Sequence, residues 1–290
     1  MTPRDILAAL VAALALGLAF IAIKIGVREA PPLLLTALRF AFAAFPAVLF
    51  VKPPRAPVAV VILYGLFIGV GQFGLLFLAI GLGMPIGLAS LVIQLQAFVT
   101  IALAWILLGE RPTAVQMIGA GAALLGIAAI GATRTGGVSF GPFVMVVGAA
   151  FCWGIGNMIG KRAGRIDMFA FVVWSSLAAP LPLIGLSLIF ENGRTFPALA
   201  HPSWALAACV AGLAYGGTVL GFGLWSQVLA RYSAARAAPF ALLIPVVGMI
   251  SGWLMFGEPL SAFELVGAVL VMAGLSFNVF GDRLLARLAA

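Results

Sequence analysis

Ten runs of mainly apolar residues follow one another along the chain, at 6–27, 33–51, 58–82, 86–108, 114–132, 140–160, 168–190, 203–229, 236–256 and 261–281. A helix needs about 20 such residues to cross the hydrocarbon core of a bilayer. Short breakers rich in Pro, Gly and charge separate the runs, among them Lys52-Pro53-Pro54-Arg55, Gly83-Met84-Pro85 and Glu110-Arg111-Pro112. No long stretch alternates polar and apolar residues, so the runs are expected to be helices rather than strands of an outer-membrane barrel. Charge supports this. Charged residues make up 8% of the chain and apolar ones 64%, with a mean hydropathy of +1.23, whereas soluble proteins carry roughly 25% charge. A soluble enzyme, a disordered scaffold and a nucleic-acid binder are thereby excluded. The first run has only Arg4 ahead of it and continues into Lys24 without a cleavage-type sequence, so a retained helix is expected.

The net charge of +8 is read as topology. If both termini are cytoplasmic, the inner loops collect Arg4, Lys52, Arg55, Arg111, Lys161, Arg162, Arg165, Arg231, Arg236, Arg283 and Arg287. The outer loops then hold only Lys24, Arg28, Arg134 and Arg194. The excess of positive charge inside favours this orientation. Cys152 and Cys209 each lie within an apolar run and are expected to be small buried hydrophobes without a disulfide.

The second half repeats the first. A shift of 148 pairs Leu95 with Leu243, Val99 with Val247 and Trp105 with Trp253. It also pairs Gly109-Glu110 with Gly257-Glu258, Gly119-Ala120 with Gly267-Ala268, and Gly126 with Gly274. Nearer the start, a shift of 137 pairs Gly17 with Gly154 and Lys24 with Lys161. Residues 1–137 and 138–290 are thus expected to form two five-helix units. An odd number of crossings turns the second unit upside down. The expected fold is all-α, a polytopic membrane protein of ten transmembrane helices in two inverted repeats, the architecture of many secondary transporters.

Three stretches carry a likeness to a known family: PPLLLTALRF from Pro31, PIGLASLVIQLQAFVTIALAWILLGERPT from Pro85, and Ala235 to Gly274. They resemble the EamA-type members of the drug/metabolite transporter superfamily, most of all exporters of cysteine-pathway metabolites such as O-acetylserine and cysteine. The resemblance implies a multi-pass carrier of the bacterial inner membrane with a central cavity, exporting amino acids or related metabolites. A multidrug, nucleobase or aromatic-compound exporter of the same superfamily is the alternative. One departure stands out. The family commonly has Trp before the first-helix glycine, and this chain keeps Trp153-Gly154 but has Leu16-Gly17, which points to a less symmetric or roomier pocket.

All eight acidic residues fall at run ends or in loops, and the single histidine, His201, lies in a loop. No nucleophile–base pair, metal cluster or cofactor motif follows from these groups, and no proton relay is visible at membrane depth. A uniporter or facilitator with an uncharged chamber is expected, acting as a monomer in lipid. Multivalent phosphate esters would need several cations aimed into the cavity, so amino acids or other small zwitterions are favoured as cargo.

Expected lining groups are Gln72, Gln94, Asn157, Tyr215, Trp153 and Ser251, with Ser90, Gln96, Thr218 and Trp225 also considered. A polar group facing lipid would lose its hydrogen bonds, so these should face the interior, lining a cavity or joining helices. Arg39 lies within the second run and is costly there unless it is paired or snorkels. It is assigned a structural or gating role, with Glu258 as a possible ion-pair partner and contact with a substrate carboxylate as the alternative. Pro46 and Pro182 occupy matching places in the two halves and are expected to kink their helices, as hinges or static bends. The GxGxxG at Gly69 to Gly74 sits mid-run with no strand before it, so it is read as helix packing rather than a dinucleotide site.

Overall fold

The computed structural model describes residues 1–132, 140–164, 166–191, 193–232, 240–258 and 261–288. The expected boundary between the halves at 137/138, together with Arg134, Arg165, Arg236 and Pro259, lies outside the described residues. The described chain is helical, with spans α1 (Pro3–Glu29), α2 (Pro32–Leu49), α3 (Val58–Gly81), α4 (Ile86–Leu108) and α5 (Ala114–Gly131) in the first half. The second half supplies α6 (Phe140–Arg162), α7 (Met168–Phe190), α8 (Trp204–Trp225), the shorter apolar α9 (Leu243–Phe256) and α10 (Ala262–Gly281). Large apolar side chains cover the outside, with Phe50, Leu181 and Trp204 at least four-fifths exposed. That surface is stable only in contact with lipid.

The packing is that of an inverted repeat. Glycines carry the contact between α5 and α10. A Cβ on Gly119 would lie 2.6 Å from the Gly274 carbonyl oxygen, and one on Gly126 the same distance from that of Gly267. Going forward along α5 from 119 to 126 thus goes backward along α10 from 274 to 267. The two helices are equivalent in sequence and run antiparallel. The same exchange relates other contacts: α1 packs on α8 and α9, while α6 packs on α3 and α4. Gly17 receives Val247 just as Gly154 receives Val99, and both pairs follow from the sequence shifts.

Local geometry explains the repeated Gly-Glu pair. Helices α4 and α9 end at Gly109 and Gly257, with φ of +70° and +61°, a conformation open to glycine. The Glu110 N–H then returns to the Ala104 carbonyl, and the Glu258 N–H to that of Gly252. Each turn aims its carboxylate back at the helix ends beside it. Spans α3 and α8 share a second feature, a π-helical stretch over Leu66–Gly74 and Gly212–Phe222 respectively. Within the first, Gly69 abuts Ala179, Gly71 abuts Cys152 and Gly74 abuts Leu183. The GxGxxG sequence is therefore a packing surface, as expected. Both cysteines are free thiols.

The prolines break their helices differently. The α-helical part of α2 stops at Ala44, and Pro46 leads only into a short 3-10 turn, Ala47–Leu49. In α7 a 3-10 turn, Ser176–Ala178, precedes Pro180, and the helix Pro180–Phe190 continues past Pro182. The first break lies near the end of its span and the second near the middle.

Candidate functional site

A cavity of about 310 Å³ lies between the two halves. Its polar lining comes mostly from the first repeat: Arg39 on α2, Gln72 on α3, and Gln94 and Gln96 on α4. The sequence shift of 148 matches Gln94 with Leu242 and Gln96 with Ile244, apolar residues that also line the cavity. Trp153, Phe222 and Trp225 add aromatic surface from the second repeat, and Asn278 is its one amide in the lining among the described residues. The chamber is thus lined by amides, one arginine and aromatic rings, with Phe20 and Phe73 of the first repeat among the rings. Leu16 and Trp153, repeat equivalents, both line it, so the wall beside α1 carries a smaller side chain than its counterpart on α6.

The expectation of an uncharged chamber is corrected by Arg39. This side chain is 2% exposed and does not snorkel. Its Nε donates to Thr218 Oγ1 at 3.2 Å, and the guanidinium lies 3.8 Å from the centre of the Phe73 ring. Phe40 and Phe77 stand farther out at 5.5 and 5.8 Å. The suggested pairing with Glu258 is also corrected. Glu258 Oε1 faces Lys24 Nζ at 3.1 Å, and Oε2 accepts the Ile86 N–H at 2.9 Å. The turn at Gly257 commits that carboxylate to the end of the bundle, whereas Arg39 is held by α3 and α8.

The remaining expected residues divide. Gln72, Gln94 and Trp153 border the cavity. Asn157 does not. Its Nδ2 donates to Gln96 Oε1 and to Thr100 Oγ1, each at 3.0 Å, and so joins α6 to α4. Tyr215 was expected inside but is 43% exposed on α8, away from the chamber. Ser251 is buried on α9 but does not border the chamber. Ser90 bonds the Gly87 and Pro245 carbonyls, linking α4 to α9. Asn278 was not anticipated, because it stands in the last turns of the final run, where a polar residue reads as the exit from the membrane.

Acidic groups at the helix ends act as caps and ties. Glu191 accepts the Leu33 N–H at 2.8 Å, as Glu258 does that of Ile86, so carboxylates meet the positive ends of α2 and α4. Lys24–Glu258 and Lys161–Glu110 are repeat equivalents at opposite ends of the bundle. Their surroundings differ. The Lys24 and Glu258 side chains are 15% and 14% exposed, against 47% and 54% for Lys161 and Glu110.

Comparison with known proteins agrees with this architecture. The EamA-like transporter family matches residues 4–132 and 141–280, one match in each half. A "Probable amino-acid metabolite efflux pump" of Salmonella typhimurium is 40% identical over 290 residues, covering 98% of this chain and 97% of its own. The protein of the same description from Escherichia coli K12 is 39% identical with the same coverage. A protein crystal structure 21% identical in sequence covers 98% of this chain and 99% of its own, with a TM-score of 0.67. At that identity it shows the shared fold alone.

Proposed function

Because the chain belongs to the EamA-like transporter family, it is a multi-pass membrane transporter and not an enzyme, and we propose that it exports amino acids or related small zwitterionic metabolites. The observation that carries this reading is the chamber between the repeats, lined by amides and aromatic rings. A zwitterion's charges cancel overall, so amides, helix ends and ring faces can meet them without a cluster of fixed ions. The two relatives described as probable amino-acid metabolite efflux pumps support the same cargo class.

Alternating access follows from the two-fold arrangement. Pseudo-equivalent halves rock about the chamber and expose it to each side in turn. The sheltered Lys24–Glu258 pair closes one end, and the wetter Lys161–Glu110 pair marks the other. The helix breaks at Pro46 and just ahead of Pro180 serve as hinges. With both termini cytoplasmic, the sheltered end faces outward. Among the described residues no carboxylate lines the chamber, which supports facilitated transport over proton coupling.

The test is uptake and counterflow in proteoliposomes with labelled cysteine, O-acetylserine, nucleobases and cationic drugs. Saturable counterflow of the amino acids is expected. Transport of drugs or nucleobases alone would shift the reading to the alternative cargo. Uphill movement driven by a pH gradient would overturn facilitated transport.

A further inference from the structure

We infer that Arg39 binds the free carboxylate of the transported molecule, so that the site accepts carboxylates and rejects the same molecules as amides or esters. This rests on the export reading for its physiological meaning, but the binding site itself can be tested separately.

A charged side chain at membrane depth is costly, and nearly all such residues are paired or functional. Arg39 has no carboxylate within ion-pair reach among the described residues. The charge is instead met by the face of Phe73 and by the Thr218 hydroxyl. Such ring contacts recover only a small part of the hydration that a buried cation gives up. Arg39 also borders the chamber. Its planar fork of N–H donors matches the two oxygens of a carboxylate. A ligand carboxylate would therefore supply the counter-charge that the fold leaves out.

Arg39 differs from the cations of the ion pairs that tie helix ends, since Lys24, Lys161 and Arg231 each face a carboxylate. The offset that pairs Pro46 with Pro182 places Ser175 opposite Arg39. Ser175 is buried and bonds the Val172 carbonyl of its own helix. The fold therefore closes the second half without a cation at this position. The lining also disfavours amines that lack a carboxylate. Such a cargo would enter beside a fixed positive charge with no negative side chain in the chamber among the described residues. The oxygens of Gln72, Gln94 and Asn278 can accept from an ammonium only once the carboxylate has neutralised Arg39.

The experiment compares acids with their own amides. Trp153 and Trp225 border the chamber, so tryptophan fluorescence of the purified protein reports occupancy. Isovalerate is titrated beside isovaleramide, and leucine and cysteine beside their amides. The same amino-acid pairs are followed as counterflow in proteoliposomes. The acids are expected to bind at least about tenfold more tightly than the amides. Arg39→Gln should abolish that preference, and Arg39→Lys should keep part of it. Equal binding of acid and amide by the unaltered protein overturns the inference, and that comparison needs no variant to fold. So does an acid preference that survives Arg39→Gln, or a complete lack of response to every acid. If acid and amide are both exported alike, the export reading stands and the carboxylate site falls. If no amino acid moves while isovalerate binds through Arg39, the export reading falls and the site stands.

Discussion

Lys24 meets Glu258 at 3.1 Å, and the carboxylate's second oxygen holds the first turn of α4 through the Ile86 N–H. One side chain thus ties α1, α4 and α9 together at a single end. Glu258→Gln should leave the sheltered lysine without its counter-charge and cost about 1–3 kcal/mol. A lower melting temperature in detergent reads this out. Glu110→Gln, in the exposed equivalent pair, should cost less than about 1 kcal/mol. Equal losses for the two variants would show that shelter does not set the strength of these pairs.

Gly126→Ala should force α5 and α10 apart, because the new methyl would lie 2.6 Å from the Gly267 carbonyl oxygen, which belongs to backbone. Overpacking of this kind costs about 1–3 kcal/mol. Gly121→Ala is the control on the same helix, since a Cβ there meets nothing within 4 Å. Thermal unfolding of the two variants side by side checks the difference.

Asn157→Ala should lower stability by about 0.6 kcal/mol, the mean for interhelical bonds in a membrane, because its amide is committed to Gln96 and Thr100. Transport affinity should change less than in Gln94→Ala, whose side chain borders the chamber. Tyr215→Phe, on the exposed face of α8, should alter neither. Michaelis constants from counterflow, measured beside melting curves, separate the three.

Leu16→Trp copies its repeat equivalent Trp153 and adds a second indole to the chamber lining. The added side chain should reduce the chamber and raise KM for bulky amino acids more than for small ones. A panel running from alanine to tryptophan in competition with a labelled substrate would show the trend. An unchanged order of affinities would mean that the wall beside α1 does not contact cargo.

The crossings and the repeat were legible because both rest on patterns that survive any detail of packing: run length, breakers, and a shift that matches Trp, Gly-Glu and glycine positions. The Gly-Glu pair was visible as a mark, and the left-handed glycine that turns each glutamate back explains it. The lining was less legible. In a membrane protein the lipid-facing and core-facing sides of a helix are both apolar, so periodicity does not say which way a residue points. Tyr215 and Gln72 look alike in sequence, yet one is 43% exposed and the other 2%. Arg39 stands close enough to the start of its span to suggest snorkelling. Its burial depends on Phe73 from α3 and Thr218 from α8, contacts that no local pattern announces. Asn157 and Gln94 are equivalent candidates in sequence, and the bonds of Asn157 to Gln96 and Thr100 and the place of Gln94 on the chamber separate them.

The glycine contact between α5 and α10 also limits how the two halves can diverge. Each contact there joins a residue of one half to the counterpart of its neighbour's equivalent, as in an isologous dimer fused into one chain. A lesion at Gly126 is therefore felt at Gly267, which is Gly119 seen from the other half. Neither unit can drift alone on that face, and a tolerated enlargement on one side calls for a compensating reduction on the other.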